Sequence, residues 1–257
     1  MKLIVLTENT SSCGLPCEHG LSLYIEASGQ KILFDSGQSA LFAENAEKLG
    51  VDLSAVDICV LSHGHYDHGG GLGRFLEIND RAPIYLSRHA FGSYFNAKEK
   101  YIGLDPELKQ SDRLIFTDDV CKIGKGLTLY SCNEREMPFN MGSGGLTMMK
   151  NGSKVPDVFL HEQYLLIVEN SKHILISGCS HKGVLNLMEW FKPDVLIGGF
   201  HFMKLPLDDA LQSYAGKLKE YDTEYYTCHC TGAEQYDYMK RYMDRLHYIG
   251  VGDKLKV

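Results

Sequence analysis

The sequence predicts an α/β (α+β) chain of layered sheets with helices on the outside, and three observations predict it. Short β-type runs recur along the whole length. Several of them are continuously apolar, as in strands covered on both faces. Helical patterns follow strands in both halves. At 257 residues the chain fits one large domain. Its two halves are expected at about 1–150 and 151–257, with "KNGSKVPD" (150–157) as a polar link.

In chain order the strand signals are "KLIVLT" (2–7), "LSLYIEA" (21–27), "KILFD" (31–35), "DICVLS" (57–62), "APIYLS" (82–87), "GLTLYS" (126–131), "YLLIVE" (164–169), "HILIS" (173–177) and "DVLIG" (194–198). The first helix signal, "SALFAENAEKLG" (39–50), spaces Leu41, Phe42, Ala46 and Leu49 at helical intervals and stops on Gly50. Further helices are predicted over 181–191, 207–221 and 232–246. The polar, glycine-rich "CNEREMPFNMGSGGL" (132–146) fits neither pattern. It is expected to be a lid over a site, as long loops often are, or an ordinary surface excursion.

Composition excludes several classes. Apolar residues make up 44% and charged residues 23%, which suits a globular core and not disorder. The net charge is −7 and no Lys/Arg block is present, so no nucleic-acid partner is indicated. The opening "MKLIVLTENT" lacks the apolar core of a signal peptide. No apolar run reaches the roughly 20 residues that cross a bilayer, so a cytoplasmic protein without a membrane partner is expected. Eight cysteines without a CxxC pair read as reduced thiols rather than a disulfide framework.

The chemistry is concentrated in "LSHGHYDHGGG" (61–71). His63 and His65, two residues apart at the end of an apolar strand, put both rings on one side of an extended chain. Two imidazoles suit a borderline-soft cation. Asp67 and His68 follow the turn and can face a second ion. Gly69, Gly70 and Gly71 remove side chains where the backbone is expected to pass close to the ions. Two ions need further donors. His181 in "SGCSHKG" and His229 in "YYTCHCTG" repeat the strand–loop–helix setting and are the candidates. His201 in "IGGFH" also follows a strand. It is read as a substrate contact or proton donor, or else as a buried histidine bonded to backbone.

The HxHxDH pattern after an apolar strand, with Asp35 upstream in "KILFDSG", resembles the metallo-β-lactamase superfamily. The resemblance implies a four-layer αββα sandwich of two ββα halves, with Asp35 supporting a ligand histidine. It implies metal ligation by His63, His65, Asp67, His68, His181 and His229. Cys179 is an alternative or additional ligand to His181 at the position where relatives carry Asp or Cys. His161 or Glu162 falls where many relatives have a ligand histidine. "EHGLSLYIE", "ILFDSGQS", "SGCSHKGVLN", "IGGFH" and "CHCTG" together resemble the subfamily of dihydropteroate-synthase-like enzymes. That subfamily includes the archaeal 7,8-dihydropterin-6-methyl-4-(β-D-ribofuranosyl)aminobenzene 5'-phosphate synthase. "HEQYLL" departs from it, because relatives often show an acidic pair where His161 and Glu162 stand.

The function expected first is a metal-dependent hydrolase. Its two divalent ions, zinc first with iron or manganese as alternatives, activate water against a phosphoester or acyl-type small molecule of anionic character. Asp67 would orient the nucleophile, and His201 would serve the leaving group. The alternatives are a transferase joining a pterin diphosphate to an aminobenzene ribofuranosyl phosphate, and a metal-dependent small-molecule sensor without turnover.

Overall fold

Two seven-stranded sheets lie face to face in the computed structural model, which describes residues 1–257. The first sheet contains β1 (Lys2–Thr7), β2 (Ser22–Ala27), β3 (Gln30–Phe34), β4 (Ile58–Val60), β5 (Ile84–Ser87), β7 (Leu114–Thr117) and the C-terminal β17 (Lys254–Lys256), in the order β17-β1-β2-β3-β4-β5-β7. The second contains β8 (Val120–Gly124), β9 (Leu127–Tyr130), β12 (Tyr164–Glu169), β13 (Lys172–Ile176), β14 (Val195–Gly198), β15 (Glu224–Thr227) and β16 (Leu246–Tyr248), in the order β16-β15-β14-β13-β12-β9-β8. In each sheet an antiparallel meander passes into parallel strands. The first does so at β3–β4–β5 and the second at β13–β14–β15.

Alternation along the strands builds the layers. In β1, Leu3 and Val5 enter the cluster between the sheets, which also takes Leu23, Ile25, Leu165, Ile167, Ile174 and Ile176. Ile4 and Leu6 point the other way, into a second cluster with Phe42 and Ala46 of α1 (Leu41–Leu49) and Leu72 and Phe75 of α3 (Leu72–Ile78). A third cluster fills the outer face of the second sheet. It is capped by α4 (Val184–Phe191), α5 (Asp209–Lys219) and α6 (Ala233–Lys240). The result is helix, sheet, sheet, helix, the four-layer αββα arrangement. Each buried aliphatic side chain contributes about 1.5–3 kcal/mol.

The predicted stops hold where local chemistry enforces them. Gly50 ends α1 with φ 74°, its N–H donating to Ala46 and Glu47 carbonyls. Asp208 caps α5 by accepting from Ala210 and Leu211 N–H groups. Three expectations are corrected. The stretch 150–157 is not a link. Asn151 and Gly152, both with positive φ, turn β10 (Thr147–Lys150) into β11 (Ser153–Pro156), an Asn-Gly hairpin that pairs with β6 (Tyr94–Phe95) as a third, three-stranded sheet. The chain instead changes sheets between Thr117 and Val120, and β17 returns to the first sheet. The helix predicted to 246 ends at Lys240, because Leu246 is drawn into pairing with Tyr225. No helix is long and apolar enough to cross a membrane.

Candidate metal centre

The parallel strands of both sheets end at one place, and the polar residues following them meet there. Asp35 follows β3, Ser62 and His63 follow β4, Cys179 and His181 follow β13, His201 follows β14, and His229 follows β15. Asp67 and His68 sit on α2 (Tyr66–Gly69), one turn beyond His63 and His65. Asp35, Ser180, His201 and His229 all hold positive φ, between 51° and 60°. Such backbone is costly for non-glycine residues and concentrates where function demands it. The three glycines have a different task from the one expected. Cβ atoms on Gly70 and Gly71 would lie 2.3 and 2.2 Å from the Gln38 and Ser36 carbonyls, and one on Gly69 would lie 2.4 Å from Leu104. They permit α2 to pack against the β3–α1 loop and do not line the centre.

Hydrogen bonds orient the imidazoles. Asp35, fully buried, accepts from Ser62 N–H (2.7 Å) on Oδ1 and from Ser62 hydroxyl and His68 Nδ1 (2.7 Å each) on Oδ2. Because the Ser62 proton is committed to Asp35, Ser62 Oγ accepts from His63 Nδ1 at 2.8 Å. His229 Nδ1 donates to Asn9 Oδ1 (2.9 Å), while Asn9 Nδ2 donates to the His229 carbonyl (3.3 Å). Glu8 accepts from the His229 N–H (2.6 Å). This network assigns the Nδ1–H form to His63, His68 and His229 and leaves each Nε2 facing inward. His68 Nε2 and His229 Nε2 then confront each other at 3.2 Å, and His63 Nε2 and His181 Nε2 at 3.3 Å. The facing lone pairs of His68 and His229 require a positive charge between them, a proton or a metal ion, whereas His181, whose Nδ1 has no partner, can carry its proton on Nε2 and donate it to His63.

Cys179 Sγ belongs to both gatherings of donors. One is His63, Cys179 and His181, and the other is His68, Cys179 and His229, with donor atoms within 4.8 Å of one another. It lies 3.3 Å from His68 Nε2. The ring of His65 is 4.6 Å from that of His63 and 5.0 Å from that of His181. His65 Nε2 and His181 Nδ1 are buried without hydrogen-bond partners. Asp67 Oδ2 stands 3.4 Å from His229 Nε2 and 3.9 Å from His68 Nε2. Burial works against its charge, yet the neighbouring His68, His19 and His229 hold its carboxyl well below the usual carboxylate range. Burial likewise opposes protonation of His68, but Asp35 and Asp67 push it up to about 9. Burial first, then neighbouring imidazoles, keeps His63, His65 and His181 well below the ordinary histidine value. These donors, buried, partly orphaned and converging, fit divalent metal ions.

His161 and Glu162 each have protein partners, and His161 also gathers with His65 and Asp157, their donor atoms within 4.8 Å of one another. His161 Nδ1 accepts from the Gly64 N–H (3.0 Å), and its Nε2 donates to Asp157 (3.2 Å). Glu162 accepts from the N–H groups of His181 (2.7 Å) and Lys182 (3.0 Å) and from the Tyr164 hydroxyl (2.5 Å). The pair fixes the turns that carry His65 and His181. His201 stands beside the centre, its ring 4.4 Å from that of His181 and its Nδ1 buried without a partner.

A cavity of about 280 Å³ opens over these residues. Tyr66, Phe159, Phe200, Met203 and Leu205 give it an apolar lining, and Asn96 and Lys204 add polar groups. Met141, Gly142, Gly144 and Leu146 also line it, so the 132–146 segment covers the site. Its base is tied to α4, where Asn186 both donates to and accepts from the backbone of Phe139. Sequence reasoning did not single out Glu8, Asn9, His19 or Cys230. Cys230 forms a cluster with Cys179 and His201, and His19 forms one with Asp67 and His229. A polar "TEN" ending an apolar strand is the one sequence feature that marks Glu8 and Asn9, and it carries no ligand pattern.

A family model described as the metallo-beta-lactamase superfamily matches residues 15–136. The crystal structure of Tm1679, a metal-dependent hydrolase of the beta-lactamase superfamily, superposes with a TM-score of 0.84 at 31% identity, covering 100% of this chain and 99% of that one. An uncharacterized protein of Methanocaldococcus jannaschii is 32% identical over 238 residues, covering 89% of this chain and 90% of that protein. From the same organism, 7,8-dihydropterin-6-methyl-4-(beta-D-ribofuranosyl)-aminobenzene-5'-phosphate synthase is 29% identical over 286 residues, covering 100% of this chain and 96% of the synthase.

Proposed function

The chain belongs to the metallo-β-lactamase superfamily, and from that premise we propose that it is a metal-dependent hydrolase of a small anionic substrate, working through a dinuclear centre. The observation that carries the reading is the pair of inward imidazole contacts, at 3.2 and 3.3 Å, with Cys179 Sγ shared between the two groups. His63, His65 and His181 would hold one ion. Asp67, His68 and His229 would hold the other, with Cys179 between them. Imidazole, carboxylate and thiolate donors together suit zinc first, and iron or manganese next. When bound, such ions supply Lewis acidity and bring the pKa of water toward neutrality.

The chain's own residues do the rest. Asp67, charged and facing the cavity, orients the attacking water. His201 donates a proton to the leaving group from a position beside His181. Lys204 pairs with an anionic substituent, and the apolar lining with the 132–146 cover excludes bulk water. The metal-loaded protein is expected to turn over at least one of a set of phosphodiesters, lactones and thioesters. A fully loaded protein inert toward all three classes refutes hydrolysis. A second reading is a transferase that forms a pterin–aminobenzene product, and it is favoured by similarity to the synthase along the whole chain. Detection of the coupled product from the two fragments, without hydrolysis, selects it.

A further inference from the structure

The loop after β1 carries a histidine that neither donor set includes. Glu18 pins this loop, accepting from the N–H groups of Gln38 and Ser39 (3.1 Å each) and from the Ser39 hydroxyl (2.6 Å). Gly20 N–H donates to Asn9 Oδ1 (3.3 Å), and Leu21 N–H donates to the Asp67 carbonyl (3.2 Å). A Cβ on Gly20 would lie 2.6 Å from that same carbonyl, so only glycine lets the loop approach. Held between these anchors, His19 Nε2 stands 3.3 Å from Asp67 Oδ2, and its ring is 4.8 Å from that of His229. The oxygen it faces is the one that also faces His229 Nε2 at 3.4 Å and His68 Nε2 at 3.9 Å. Donors sharing one tetrahedral ion, with bonds of about 2.0–2.1 Å, lie roughly 3.3 Å apart. The His19–Asp67 and Asp67–His229 contacts meet that spacing, and so does the 3.2 Å contact between His68 and His229, while the donor atoms of His19 and His229 lie within 4.8 Å of each other.

We infer that His19 is a ligand of the second ion, joining Asp67, His68 and His229 there beside the shared Cys179. The inference rests on the dinuclear reading above. It encloses the second ion in protein donors and leaves the exchangeable position to the first. His19 is also the donor of the four that solvent reaches, its side chain 48% exposed against 13% for Asp67 and 0–1% for the other two. It can therefore leave and return without disturbing the core.

The test uses the full chain, wild type beside His19→Ala and His19→Gln. Metal content, chelator competition and the visible spectrum of the cobalt-loaded protein are read, with melting of the metal-free forms as the control for folding. Wild type should hold two ions. In both variants the second ion should weaken about ten-fold or more, with a changed cobalt band that added imidazole restores in His19→Ala. The Gln amide still donates to Asp67 but ligates poorly. If His19→Gln keeps the wild-type affinity and spectrum, His19 is only a hydrogen-bond partner and the inference is overturned. A wild type that binds one ion refutes the dinuclear reading itself, which is a separate outcome.

Discussion

At the scale of single residues, the centre is governed by groups that never touch the proposed ions. Asp35 holds Ser62 and His68 directly and His63 through Ser62. Asp35→Ala should lower metal affinity about 10–100-fold, read by chelator competition; an unchanged affinity contradicts the orienting role. Titration follows from the same contacts. In the metal-free protein the His68 value of about 9 lies above the roughly 6.5 of an unfolded histidine. The stability it contributes is present in full below about pH 6.5 and is lost as pH rises through about 9. His63, His65 and His181 are shifted down, so the unfolded chain takes up their protons first and stability falls as pH drops below about 6.5. Melting of the metal-free protein should therefore peak between slightly acidic and neutral pH. A flat profile between about pH 6.5 and 9 would count against the charged His68–Asp35 contact.

At the scale of elements, the site depends on backbones that approach too closely for side chains. A Cβ on Gly178 would lie 2.2 Å from Ser62 Oγ and 3.2 Å from His63 Nδ1. Gly178→Ala should displace Ser62 from Asp35 and destabilise by about 1–3 kcal/mol, with a loss of bound metal larger than the loss of melting temperature suggests. Normal metal content in the folded variant would show that the close approach is dispensable. The same scale explains what could be read in advance. Strands buried on both faces, such as β1 with Leu3 to Leu6, announce themselves as apolar runs. Exposed strands do not: β8 and β11 are mostly polar or solvent-facing edge strands, each formed as one arm of a short hairpin with its chain neighbour, β9 or β10. The six histidine and aspartate candidates were legible because ligand-type residues cluster at strand ends. Asn9 and Glu8 were not, since the histidine they orient lies 220 and 221 positions away. Nor was His19, whose partner Asp67 is adjacent only after β2 and β3 have folded back.

At the scale of the whole molecule, the two sheets are bound by one apolar layer and by the centre at its edge. Ile176→Ala, deep in that layer, should cost about 2–5 kcal/mol in denaturant unfolding while leaving metal stoichiometry at its wild-type value. Loading with metal should raise the melting temperature in a concentration-dependent way, by about 2.7 kcal/mol of added stability at a hundred-fold excess over the dissociation constant. A melting temperature indifferent to chelator would mean that the donors are not holding an ion. The reach of Asp35 has one more consequence. A single carboxylate stands behind an imidazole of each proposed site, so occupation of one site alters the support available to the other. The two proposed ions should then load as thermodynamically linked ligands, each changing the other's affinity by the same factor. Removing Asp35 should weaken this linkage in metal titrations and leave the part carried by the shared Cys179.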